Sequence, residues 1–171
     1  MLKNKILPTV VLVTICVVVA ILLSVTNSFT SSVIENAQAE KVNEALRVVY
    51  PAGESFLPLD IEGKDLPETV TEAYSVNDGG YVFKATVKGY KDGLVILVGI
   101  DASGAVTQTK YVESNETNGA EKSLDGAYNG ITEGTLTPEI ISGSTKTSNA
   151  YHTAVKDAFS AFNTLKGGAA K

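Results

Sequence analysis

With 171 residues, 44% of them hydrophobic, the chain holds enough apolar material for one modest core plus appendages. A formal charge of −5 argues against nucleic-acid binding. A single histidine and a single cysteine exclude an internal disulfide and any Cys/His-built zinc or iron–sulfur centre.

The first element is apolar. Residues 6–25 carry no charge, and none occurs between Lys5 and Glu35. At about 1.5 Å rise per residue, a helix over this stretch covers roughly 30 Å, the thickness of a bilayer's hydrocarbon core, so the pattern predicts one transmembrane helix. Pro8 falls in its first turn, where a missing N–H is harmless. The competing reading is a cleaved signal peptide. It needs a shorter apolar core and a small-residue cleavage site close behind, whereas Ala37-Gln38-Ala39 lies well beyond the span. Cys16, mid-span and preceded by Ile15, is in the wrong context for a lipoprotein cysteine. Lys3 and Lys5 precede the span and Glu35 and Glu40 follow it, so residues 1–5 are expected in the cytoplasm and the remainder outside it. Setting aside Lys3 and Lys5 leaves twelve basic residues against 19 acidic ones, a formal −7 for the outer part. Such a domain is repelled by nucleic acid and by anionic lipid head groups.

Residues 26–53 read as a connecting segment with a helix over Ser31–Val49. Ile34, Val42, Ala45, Leu46 and Val49 recur mostly at spacings of three and four. This helix either extends the membrane helix as a stalk or packs as the first helix of the domain, and Pro51 and Gly53 end it. The folded domain is expected over 54–171. Its first part, 54–72, holds Pro58, Pro67 and several acids and reads as loop with room for one short strand.

The centre is β-rich. Tyr74–Val76, the turn Asn77-Asp78-Gly79-Gly80 and Tyr81–Tyr90 have the form of a hairpin. Tyr81, Phe83, Ala85 and Val87 alternate there with Val82, Lys84, Thr86 and Lys88. After Lys91-Asp92-Gly93 comes the unbroken apolar run Leu94–Ile100, suited to a strand covered on both faces. Asp101-Ala102-Ser103-Gly104 turns into a further strand over Ala105–Val112. Three or four antiparallel strands joined by short turns make a meander. Residues 113–134, polar and rich in Gly and Asn, read as a functional or lid-like loop, and Thr135–Ile141 as a short extended segment. The last element is an amphipathic helix over about Asn149–Leu165, capped by Thr147 or Ser148 and stopped by Gly167-Gly168. Tyr151, Val155, Ala158, Phe162 and Leu165 form its apolar face. The predicted fold class is α+β: one N-terminal transmembrane helix, then an antiparallel-sheet domain with a C-terminal amphipathic helix.

Residues for independent catalysis are not evident. The chain has no nucleophile elbow, no GxGxxG, no P-loop and no histidine pair. His152 reads as a solvated or core-edge imidazole, with contact to a bound cofactor as the alternative. The acidic pairs Asp60/Glu62 and Asp65/Glu68 read as solvated loop charges. Ser142-Gly143-Ser144-Thr145-Lys146-Thr147-Ser148 is different. A hydroxyl-rich, Gly-containing loop before a helix is either an ordinary Ser/Thr cap or a phosphate site, where free N–H groups and the helix dipole face an anion.

Together with the preceding Glu139-Ile140-Ile141, that segment is similar to the flavin-attachment motif of the FMN-binding domain family, commonly Asp-x-x-Ser-Gly-Ala-Thr-x-Thr-Ser. Tyr81-Val82-Phe83-Lys84 through Gly89-Tyr90, then Leu97-Val98-Gly99-Ile100-Asp101 and the Gly104 turn, resemble the family's sheet core. Glu116-Thr117-Asn118-Gly119 resembles its Glu-Thr-Pro-Gly loop, which lies near the flavin. The opening Met-Leu-Lys-Asn, the single membrane helix and Thr26-Asn27-Ser28 look like members that serve in Rnf-type ion-translocating ferredoxin:NAD⁺ oxidoreductases.

The resemblance implies FMN joined covalently through its phosphate to Thr145 by a flavin transferase. Ser142, Gly143 and Ser144 would form the turn around the phosphate, Thr147 and Ser148 would donate near it, and Glu116 and Thr117 would approach the ring. It further implies an electron carrier anchored in the cell membrane, with other membrane subunits of an Rnf-type complex as partners. Three departures stand out: Ser144 for alanine, Glu139 for aspartate, and a Glu116 loop without its proline or the family's ending. Two other readings stay open: a stand-alone membrane-tethered flavoprotein, and an anchored, non-redox binding or assembly module.

Overall fold

The computed structural model describes residues 44–168 together with Leu12, Cys16 and Val19. Those three aside, the predicted span at 6–25 lies outside the described residues, as does 26–43 of the connecting segment. Among the described residues, no helix is long and apolar enough to cross a membrane. The chain divides into two units, Met1–Val42 and Asn43–Lys171, and the second is the folded domain.

Five antiparallel strands form one sheet in sequence order: β1 (Phe56–Leu59), β2 (Val70–Val76), β3 (Tyr81–Val87), β4 (Leu94–Ile100) and β5 (Val106–Glu113). This is the predicted meander. β1 is the one short strand for which the 54–72 segment left room, and its Pro58 is tolerated because β1 is an edge strand. β2 begins at Val70 instead of Tyr74. A register shift between Val70 and Glu72 interrupts the period of two, which hides the start of the strand from a pattern reading.

β3 pairs with β4 from Tyr81↔Ile100 to Val87↔Leu94, without a bulge. Every residue of β4 is buried, as its unbroken apolar run requires. Leu94, Ile96, Val98 and Ile100 enter the main core. The opposite face meets α1, helical through residues 44–49. A Cβ on Gly99 would lie 2.5 Å from the Val49 carbonyl oxygen, so glycine lets the two backbones approach. Thr107 donates to the same carbonyl at 2.6 Å, and the Tyr50 hydroxyl donates to Asp78 at 2.8 Å in the β2–β3 turn.

The 113–134 segment is packed in its second half, not a free lid. It contains α2 (Ala120–Leu124), and Leu124 and Tyr128 are fully buried. The extended element expected at Thr135–Ile141 does not pair in the sheet. Glu133–Thr135 is a 3-10 turn, and the neighbouring pairing is one isolated bridge, Ala105↔Thr132. Side chains satisfy this stretch instead: the Tyr128 hydroxyl accepts the Glu139 N–H at 3.2 Å, and Ser148 Oγ accepts the Ile141 N–H at 3.0 Å.

α3 (Thr145–Gly168) lies on the core face of the sheet, burying Tyr151, Ala154, Val155, Ala158, Phe159, Phe162 and Leu165. It starts at Thr145, earlier than the predicted Asn149. Weak helix formers suggested a cap there, yet the Ser148 N–H already bonds to the Ser144 carbonyl at 3.0 Å. Thr145-Lys146-Thr147-Ser148 is therefore the helix's first turn.

Candidate functional site

The β3–β4 turn and the exit of β5 lie at one end of the sheet, since Val87 pairs with Leu94 and Val95 with Glu113. The N-terminus of α3 closes over the same end. Between these segments lies a cleft of about 500 Å³, bordered by Tyr90, by Glu116, Thr117 and Asn118, and by Gly143, Ser144, Thr145, Lys146 and Thr147. That volume is typical of a small-molecule site.

Of the hydroxyl-rich motif, Gly143 to Thr147 border the cleft and Ser142 does not. Gly143 has φ +81°, a left-handed conformation that favours glycine, and a Cβ there would meet no protein atom within 4 Å. Backbone conformation therefore selects this glycine, and the space beside it is open. The Ser144 N–H is taken by the Ile141 carbonyl at 3.0 Å. The amides of Thr145, Lys146 and Thr147 find no acceptor among the described residues, as expected of a first helical turn. The first turn carries no acidic residue, so the positive end of the helix dipole faces the cleft unopposed from within its own turn.

The hydroxyls of the motif are not equivalent. Ser142 and Thr145 are exposed and Ser144 is half-buried. Thr147 and Ser148 are buried. Thr147 Oγ1 donates to Glu116 Oε2 at 2.5 Å, and Ser148 Oγ donates to the Ser144 carbonyl at 3.1 Å. Of the hydroxyls and N–H groups expected to donate to a phosphate here, both hydroxyls and the Ser148 N–H are spent inside the protein, which leaves the Thr147 N–H. Ser148 does not border the cleft.

Glu116 is also committed. Its Oε1 accepts the Lys91 N–H at 3.0 Å, and its own N–H bonds to Ser114 Oγ at 3.1 Å. Asn115 adds a bond from its side-chain amide to the Asp92 carbonyl at 3.2 Å. The 114–118 loop is thereby fastened to the β3–β4 turn. Thr117 borders the cleft as expected.

Three cleft residues were not singled out by the sequence reading. Tyr90 is 64% exposed, and Lys146 Nζ lies 5.8 Å from its ring centroid. Asn118 completes the rim. A tyrosine at a strand end signals nothing by itself, whereas a lysine inside the motif is a signal that was available.

A second polar group, which does not border the cleft, ties β5 to α3. Asp125 Oδ1 accepts the Tyr111 N–H at 2.8 Å and the Tyr151 hydroxyl at 3.0 Å. Burial pushes the Asp125 carboxyl above the usual range despite these donors. Tyr128 stacks on Tyr151, with ring centroids 6.0 Å apart. His152 packs at 6.2 Å from Tyr128 and its buried Nδ1 has no partner among the described residues. Burial, then the Lys156 charge, lowers its pKa. His152 does not border the cleft, in line with the core-edge reading. Glu139 is exposed and away from the cleft; its backbone, not its carboxylate, is held.

Residues 89–160 match the FMN-binding domain family, a stretch that includes every residue bordering the cleft. The chain is 30% identical over 153 residues to the G subunit of the Na⁺-translocating ferredoxin:NAD⁺ oxidoreductase complex of Acetobacterium woodii, an alignment covering 80% of this chain and 74% of that protein. The chain belongs to the FMN-binding domain family.

Proposed function

We propose that this family member is a membrane-anchored electron-carrier subunit that holds FMN in the cleft, attached by a phosphoester to Thr145. One observation carries the reading. Of the motif's two threonines, Thr145 alone is exposed with an uncommitted hydroxyl, and it stands in the helical turn whose amides are free.

The residues present fit the group. Free first-turn amides and the helix dipole suit a phosphate, and charge-assisted hydrogen bonds to it are among the stronger ones. Lys146 adds a positive charge at the rim, and Tyr90 offers an exposed aromatic face to a planar ring. Gly143 leaves open space beside the turn. The serine that replaces the usual alanine is compatible with this arrangement. Ser144 precedes α3, and its carbonyl serves the Ser148 N–H and hydroxyl.

Bound FMN supplies the redox chemistry, and the chain supplies position and environment. In loading, the Thr145 hydroxyl would accept the FMN phosphoryl group from a flavin transferase: Oγ1 would gain the new P–O bond, its proton would pass to a base on the transferase, and the donor's P–O bond would break with its electron pair leaving on the donor fragment. The cleft offers no uncommitted carboxylate or imidazole for acid–base work, which favours electron carriage over substrate turnover. Similarity to the Acetobacterium woodii protein supports a place among other membrane subunits of an Rnf-type complex. The uncharged 6–25 stretch, with Lys3 and Lys5 before it, would tether the domain on the outer side of the membrane.

The test is co-expression of the full chain with a flavin transferase, followed by a denaturing gel under ultraviolet light. A fluorescent band is expected from the native chain and from Thr147→Ser, and none from Thr145→Ala. A correctly exported native chain without covalent flavin refutes the reading.

A further inference from the structure

Three walls of the cleft come from segments distant in sequence, and one side chain joins them. Glu116 reaches from the 114–118 loop to the Lys91 N–H with one carboxylate oxygen and to the Thr147 hydroxyl with the other. A third contact explains a glycine that backbone conformation does not. Gly89 has an ordinary φ, yet a Cβ there would lie 2.5 Å from Glu116 Oε1 and 3.1 Å from its Cδ. Among the described residues, the only side chain within that reach of the added Cβ is Glu116. Gly89 is thus the seat of the Glu116 carboxylate.

The arrangement also has an electrostatic consequence. A carboxylate free to swing into an anion-binding cleft would repel the anion. Here both oxygens are turned onto donors, and the residue's charge is spent on fastening the walls. We infer that Glu116 is a positioning residue, latched between Gly89, Lys91 and Thr147, which fixes the first turn of α3 against the 114–118 loop and so presents Thr145 for flavin loading. The inference rests on the proposed function for its flavin readout; the latch itself can be read without flavin.

Two measurements on the full chain test it: amide hydrogen exchange at Lys91 and across 114–118 without flavin, and the initial rate of flavin loading with the transferase. Glu116→Ala, Gly89→Ala and Thr147→Val each break the latch from a different side. Each should speed exchange in the 114–118 loop and slow loading by roughly tenfold, the scale of one charge-assisted hydrogen bond. Thr147→Ser keeps the donor and should load within about twofold of the native rate, since the hydrogen bond is retained. The deciding variant is Gly89→Ala/Glu116→Ala. With the carboxylate gone the three nearest contacts of the added methyl are removed, so the pair should load no more slowly than Glu116→Ala alone. Losses that multiply in this pair, or native exchange and loading in Gly89→Ala, overturn the inference. Should Glu116→Ala fail to fold, Gly89→Ala and the Thr147 pair decide it alone. A native chain that takes no flavin refutes the proposed function, while exchange still judges the latch.

Discussion

The Tyr151 hydroxyl donates to Asp125 Oδ1 at 3.0 Å, one turn into α3 from the cleft. This bond joins the helix that carries Thr145 to the segment that follows α2. Tyr151 is fully buried, and its phenol is pushed up first by burial and further by the adjacent Asp125 carboxylate. Tyr151→Phe removes the donor and keeps the ring stack on Tyr128. It should lower stability by about 1.5–3 kcal/mol, the usual range for a lost hydrogen bond to a charged acceptor. Urea unfolding of the two proteins at one pH checks this, with unchanged slope and a lower midpoint expected.

Asp125 also predicts a pH dependence. Its carboxyl has a raised folded-state pKa, dominated by burial. A raised acid favours folding when protonated. Its contribution is therefore fully present below the unfolded value of 3.8 and is lost as pH rises through the folded value. Relative to Asp125→Asn, the native protein should gain stability as pH falls from 7 towards 4. Parallel melts across that range measure the difference, and a flat or reversed difference contradicts the assignment.

His152 works with the opposite sign. Its pKa is lowered, first by burial and then by Lys156, so the folded protein favours the neutral ring. That contribution is present above the unfolded value of 6.5 and is lost as pH falls through the folded value. His152→Gln should abolish this acid-side loss, so the gap between native and variant melting temperatures should shrink or reverse below pH 6.5. The shift itself can be followed by titrating the imidazole by NMR.

The sequence made some of this legible and concealed the rest for physical reasons. The β3–β4 pair was visible because an unbroken apolar run and clean alternation admit one arrangement. The first half of β2, before Tyr74, was hidden by the irregularity between Val70 and Glu72, which breaks the period that pattern reading depends on. The start of α3 was misplaced because Thr145, Thr147 and Ser148 are residues that cap helices as readily as they begin them. Thr145 was singled out through its motif, and it borders the cleft. The bond from Thr147 to Glu116, across 31 positions, was beyond reach, since no local pattern marks a contact set by how the sheet end and helix meet.

Tyr90, outside the motif, and Lys146, within it, add an aromatic face and a charge to the site. Tyr90 is 64% exposed and holds no core contact, so Tyr90→Ala should leave the melting temperature within about 2 °C, as for a surface change away from special features. Its effect should fall on the flavin: weaker shielding of the ring, read as increased fluorescence of the loaded protein and faster quenching by iodide. Lys146→Gln removes the rim charge and should lower the flavin's reduction potential, because a nearby cation favours the more negative, reduced state. A potentiometric titration of the loaded protein checks the direction, and an unchanged potential would remove Lys146 from the flavin's surroundings.

Gly143 offers the sharpest separation of backbone from side-chain effects in the motif. Its φ of +81° is unfavourable for alanine, while the open space around it means that an added methyl meets no protein atom. Gly143→Ala should therefore cost about 1 kcal/mol or more in strain alone. Relief of that strain would rotate the turn that delivers Thr145, so flavin loading should fall further than global stability. Gly143→Asn tolerates the left-handed conformation better and should lie between alanine and the native residue on both measures. If the methyl instead obstructs the bound flavin phosphate, asparagine, being larger, will load worse than alanine while folding better. Loading rates and melting temperatures of the two variants, compared side by side, decide whether the turn's conformation or its open space limits attachment at Thr145.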